Sequence, residues 1–236
     1  AEVLFKNDFL KESEWLFKNT WINYNFNYSE EKYILKNYGK YLNKNNHALR
    51  LERLIWYRSW SSANRQMRRV NKDILLLSKA KILLSRRKGN VDNAISKVPK
   101  NLKGTESLTY ERVKWRRRAK LEKKSLELLA QYKGKYTMQK NWWREINYHT
   151  RKQISYGNYN AAISILKNFN KGSNNYSAEA SWLTGWLSLT FEKDPKIAYE
   201  YFKIMFNNVK TPISKARASF WAGKSAKTIG DIDSAN

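Results

Sequence analysis

Cysteine is absent from the 236 residues, which excludes disulfides, thiolate metal sites and a cysteine nucleophile. Histidine occurs only as His47 and His149, far apart in sequence, so a zinc site or an imidazole base has little to draw on. No metal or cofactor is expected. Proline (3) and glycine (9) are scarce, leaving few breaks in regular structure. No apolar run approaches the roughly 20 residues that span a bilayer. The nearest, Trp182 to Phe191, runs into Glu192 and Lys193. Acidic residues are few: 20 against 46 Lys and Arg give a net charge of +26 and an isoelectric point near 10.1. Such a field favours polyanions or anionic surfaces as partners. High Lys, Asn, Tyr and Ile together are also the bias of an AT-rich gene, with much of the lysine simply solvated.

What is present is a folded chain. A hydrophobic fraction of 42% with 14% aromatics exceeds what an intrinsically disordered chain carries. Apolar residues recur at helical spacing almost throughout, so the fold is expected to be all-α. Asp194-Pro195 and Thr211-Pro212 pair an N-cap residue with proline at the first helical position. Pro99 falls in a loop from Val98 to Gly104. Trp182, Trp186 and Leu189 form one stripe with Leu183, Leu187 and Phe191 beside it, which predicts a helix buried between neighbours. Tyr110 to Ala130 shows a similar two-faced pattern, interrupted by Arg117 and Lys124.

Asn158-x-x-x-Ala162, Asp194-x-x-x-Ala198 and Asp231-x-x-x-Ala235 place a capping residue four before an alanine, with the alanines 36 and 37 residues apart. This period is close to that of tetratricopeptide-like hairpins, which stack because one pair cannot bury its own faces. The expected architecture is a right-handed α-solenoid over residues 1–236, its last repeat cut short at Asn236, with a sub-boundary near 99–106. The chain opens at Ala1 without methionine, which is compatible with a leader already removed.

Three strings are more specific: Asn141-Trp142-Trp143-Arg144-Glu145-Ile146; Ser177-Ala178-Glu179-Ala180-Ser181-Trp182-Leu183-Thr184-Gly185-Trp186-Leu187; and Val209 to Lys224, containing Thr211-Pro212-Ile213-Ser214-Lys215-Ala216-Arg217-Ala218-Ser219-Phe220-Trp221. In this order they resemble the superhelical domain of soluble lytic murein transglycosylases. His47 to Trp56 and Leu108 to Arg117 extend the likeness toward the N-terminus. The resemblance implies a periplasmic protein whose ring-forming helical part supports a C-terminal lysozyme-like domain. That domain cleaves the MurNAc-GlcNAc bond of peptidoglycan and leaves a 1,6-anhydro end, using one glutamate with a raised pKa.

The family's glutamate lies in a Glu-Ser motif followed by Gly-Leu-Met-Gln and Ala-Tyr-Asn-Ala-Gly strings, and neither string occurs here. Glu12-Ser13 and Glu106-Ser107 are therefore decoys, Glu106 being a solvated or helix-start carboxylate, and no catalytic residue is expected. Lys114, Arg116, Arg117 and Arg118 form the densest basic run. With Trp115 facing a core, Arg117 points nearly opposite; the run serves either as a solvated, salt-bridged face or as a contact to polymer carboxylates.

Trp142 is expected in a core. Its neighbour points about 100° away, so at most one of the pair can line a groove; Trp143 is read first as core packing too and, with Arg144, as the polymer-contact candidate of that helix. Arg86-Arg87-Lys88-Gly89 looks like a helix end. Glu179 and Arg217 are expected to pair between adjacent repeats. The functional expectation is a noncatalytic, monomeric scaffold that binds peptidoglycan and binds no nucleic acid at physiological salt. The alternatives are a cationic helical-repeat protein holding nucleic acid through phosphates, or a scaffold for a protein partner.

Overall fold

The computed structural model describes residues 10–169 and 175–231. Among them are thirteen α-helices and three short 3-10 turns, with no strand; the fold is all-α. No helix among the described residues is long and apolar enough to cross a membrane. The chain divides into two compact units, Ala1–Trp115 and Arg116–Asn236. The division falls C-terminal to the 99–106 segment, inside a helix.

The first unit holds α1 (Leu10–Asn23), α2 (Tyr28–Tyr38), α3 (Lys44–Trp56), α4 (Trp60–Gln66), α5 (Lys72–Ser85), α6 (Val91–Ser96) and most of α7 (Glu106–Arg118). Asn27 and Asn43 each cap a helix with a reciprocal capping box, accepting from Glu30 N and Asn46 N, so two otherwise orphaned donors are satisfied at each start. Leu51, Leu54, Ile55 and Ala63 form one small core. Leu77, Ala80, Leu84, Val91, Val98 and Leu108 form another, with Trp115 against it. α5 ends at Ser85, Arg86 is its C-cap and Arg87 is left-handed at φ 56°, so the basic run there is a helix end.

The second unit contains α8 (Glu122–Gln131), α9 (Gln139–Ser155), α10 (Tyr159–Phe169), α11 (Asn175–Thr190), α12 (Pro195–Asn208) and α13 (Pro212–Ile229). From α9 onward each helix packs chiefly on the next in sequence, and the connections are short. Asp194 accepts from Ile197 N and Thr211 from Ser214 N, each followed by proline at the start of its helix. Ala162 and Ala198 are fully buried, as small residues at a close helix approach should be. Ala235, the third alanine of the period, lies outside the described residues.

Two sequence expectations change. The Tyr110 to Ala130 segment is not one helix: α7 stops at Arg118, Lys120 is left-handed at φ 61°, and α8 starts at Glu122. Arg116, Arg117 and Arg118 thus occupy a last turn, where cations offset the helix dipole. Helix α11 is embedded, but not through its tryptophans. Ala178, Ala180, Ser181, Thr184, Leu187 and Ser188 are buried, whereas Trp182 and Trp186 are half-buried and Phe191 is exposed. Small side chains let the neighbouring helices close in. Ser181 and Thr184 return their hydroxyls to the carbonyls of Ser177 and Ala180 at 3.0 and 2.8 Å, so these polar groups are buried without needing a partner from another helix.

Candidate functional site

The basic run is largely committed to the fold. Arg117 clasps the Glu145 carboxylate with Nε at 2.6 Å and Nη2 at 2.9 Å, and its guanidinium lies 4.8 Å from the centre of the Tyr148 ring. Glu145 is almost fully buried. A two-pronged Arg–carboxylate pair of this kind fixes geometry, so Arg117 fastens the end of α7 to α9 rather than facing a polymer. Arg116 is half-buried and donates to the Lys124 carbonyl at 2.8 Å. Lys114 lies over the Tyr110 ring, its Nζ 5.3 Å from the centroid. Arg118 is exposed. Of the run, Arg118 alone has a side chain that is exposed.

Trp142 is fully buried, stacked on Tyr132 at 5.2 Å and edge-on to Tyr136 at 5.0 Å. Trp143 is half-buried and packs against Phe169 at 5.6 Å and Tyr176 at 6.4 Å. Arg144 is exposed. The hundred-degree turn between the paired tryptophans separates a core ring from a boundary ring, as expected.

Beside this aromatic group the 133–137 connection, the start of α9 and the end of α10 line an open cavity of about 440 Å³, within the usual span of small-ligand sites. Lys133, Lys135, Tyr136, Thr137, Gln139 and Phe169 line it. Two features hold the connection in place. Tyr132 donates its hydroxyl to the Lys135 carbonyl at 2.6 Å, and Lys133 donates to Asn168 at 3.3 Å. At Gly134 a Cβ would stand 2.5 Å from the Tyr132 oxygen, so the backbone presses on that ring where no side chain fits. Trp143 backs the wall through Phe169 without lining the cavity. Arg116, Arg117, Arg118 and Arg144 do not line it either. The cue in the sequence was Lys133-Gly134-Lys135-Tyr136, a cationic breaker between two periodic segments.

Other ionisable clusters are structural. Glu106 opens α7 in its first turn, the place expected for it. Glu111 is buried against Arg58 at 2.5 Å; burial raises its pKa, against the pull of Arg58. Buried Lys81 pairs with Glu52 and donates to Ser107 at 3.2 Å. His149 is buried and bonded to Ser125 at 2.9 Å; burial lowers its pKa, with Arg117 acting in the same direction. Among the described residues no group of three His, Asp or Glu could hold a metal ion.

His47 makes the clearest pH prediction. Its Nδ1 lies 2.9 Å from the Gln66 amide, and burial, then Arg69 and Arg50, hold its pKa down from 6.5 to about 4. Between these values the unfolded chain takes up a proton that the folded chain resists, so stability falls as the pH drops through that window. The loss is complete below about pH 4. Urea unfolding of His47→Gln across the same range should show a shallower acid-side decline than the parent. An identical decline would contradict a suppressed imidazole.

No family model, curated protein or solved structure matches the chain.

Proposed function

We propose that this chain is the noncatalytic superhelical part of a periplasmic lytic transglycosylase, with peptidoglycan as its partner. On this reading a lysozyme-like domain outside the chain performs the cleavage. The stacked hairpins form a right-handed solenoid that supports the domain, works as a monomer and guides glycan.

One observation carries the reading: residues of two family-like strings interlock. Arg217, from the third string on α13, pairs with Glu179, from the second on α11, at 3.4 Å. Its guanidinium lies 3.7 Å from the centre of the Trp182 ring. The pair was expected from the resemblance, and the two strings meet through the polar and aromatic residues that make them distinctive, Glu179 and Arg217 being 38 residues apart. Arg117, whose charge is spent on Glu145, supports neither the glycan contact nor the alternative of a cationic nucleic-acid binder.

The test is retention on purified sacculi at about 0.15 M salt, where exposed charges are screened beyond roughly 8 Å, with excess RNA as competitor. Retention should persist, weaken modestly when Arg118 and Arg144 are both changed to Ser, and leave RNA unbound. Stripping from sacculi by RNA, with sub-micromolar RNA affinity at that salt, would make the nucleic-acid reading the better one.

A further inference from the structure

We infer that the cavity lined by the 133–137 connection, the start of α9 and the end of α10 is a binding site for a sugar ring bearing a carboxylate. The inference rests on the peptidoglycan reading only for the identity of the natural ligand; the chemistry comes from the cavity itself. Lys133 and Lys135 are both in the lining, and among the described lining residues none is acidic. A carboxylate takes charge-assisted hydrogen bonds from these lysine ammonium groups, stronger than those a neutral oxygen would take.

The remaining walls suit a pyranose rather than a bare ion. Phe169 and Tyr136, otherwise buried, meet the cavity only at the rims of their rings, a narrow apolar contact for the C–H face of a ring. Gln139 contributes an amide able both to donate and to accept, which matches ring hydroxyls and an acetamido group. Inorganic phosphate or acetate could meet the lysines but not these walls.

The lining is also organised before any ligand arrives, which limits the entropy lost on binding. Gly134 is pressed onto Tyr132, Tyr132 holds the Lys135 carbonyl, and Lys133 is tied to Asn168. Behind Phe169 the Trp143 ring, together with Tyr136 and Trp142, makes a continuous aromatic support.

The test is a titration of the whole chain followed by amide and indole N–H shifts in NMR spectra. The probes are N-acetylmuramic acid, glucuronic acid, the neutral N-acetylglucosamine and inorganic phosphate. Both acidic sugars should bind saturably in the millimolar range and shift signals from residues 133–139 and the Trp143 indole. N-acetylglucosamine and phosphate should each bind at least about tenfold more weakly, one tenfold step being the equivalent of about 1.4 kcal/mol. Changing Lys133 and Lys135 together to Gln should weaken the acids at least about tenfold, whereas the charge-matched change of exposed Lys123 and Lys196 to Gln should not.

Absence of saturable shifts at 133–139, equal binding of the neutral sugar, or equal effects of the two double variants would overturn the inference. Phosphate binding as tightly as the acidic sugars would overturn it too, reducing the cavity to an anion site. Glucuronic acid binding without N-acetylmuramic acid would uphold an acidic-sugar site while counting against the peptidoglycan reading, so the two can fail separately.

Discussion

Changing Arg50 to Ala should destabilise the first unit by about 3–5 kcal/mol, the range for removing one partner of a buried ion pair. The Arg50 side chain is fully buried. It donates to the Trp21 and Tyr24 carbonyls and to Glu31 at 3.1 Å, and its guanidinium lies 4.2 Å from the Trp21 ring centre and 5.0 Å from that of Phe26. Its loss would leave the buried Glu31 carboxylate with Arg65 alone, at 2.6 Å, and would withdraw a donor from two carbonyls that end α1 and enter α2. Denaturant unfolding should show a lower midpoint. Replacing Arg50 by Met and Glu31 by Leu together should recover much of the loss, because no unpaired buried carboxylate then remains and Arg65, the other partner of Glu31, is partly exposed to water. A cost below about 0.5 kcal/mol, as for an ordinary surface site, would contradict a buried network.

The second large effect belongs to the contact between α11 and α12. Phe202 is fully buried, and a Cβ at Gly185 would stand 2.8 Å from its ring. Glycine is therefore required there by close approach, not by backbone conformation. Phe202→Ala should cost about 3–5 kcal/mol, and Gly185→Val about 1–3 kcal/mol through overpacking. Combining Gly185→Ala with Phe202→Leu should cost less than the two separate changes summed, since the smaller side chain makes room for the added methyl. Strict additivity in urea unfolding would mean that the ring and the glycine are not in contact. By the same reasoning Trp182→Ala should cost less than Phe202→Ala, the tryptophan being only half-buried.

The all-α fold was legible because periodicity and scarce breakers act locally, and so were the caps at Asp194 and Thr211. The Glu179–Arg217 pair was legible too, but through the family-like strings. Three features were not. The stop after Arg118 uses neither glycine nor proline, only a lysine in the left-handed region, so the apolar pattern runs on through it. Arg117 pointed outward by helical geometry, and its partner Glu145 lies 28 residues away, a distance over which periodicity carries no information. The cavity lies on a connection, where side chains follow no repeat; only the basic, glycine-containing composition of residues 133–136 marked it.

The proposed scaffold role, without cleavage, can be checked by incubating the purified chain with sacculi and analysing the soluble products by mass spectrometry. No 1,6-anhydro muropeptides should be released above the no-protein control. Release that is abolished by Glu106→Gln would contradict that role, placing a catalytic carboxyl at the start of α7.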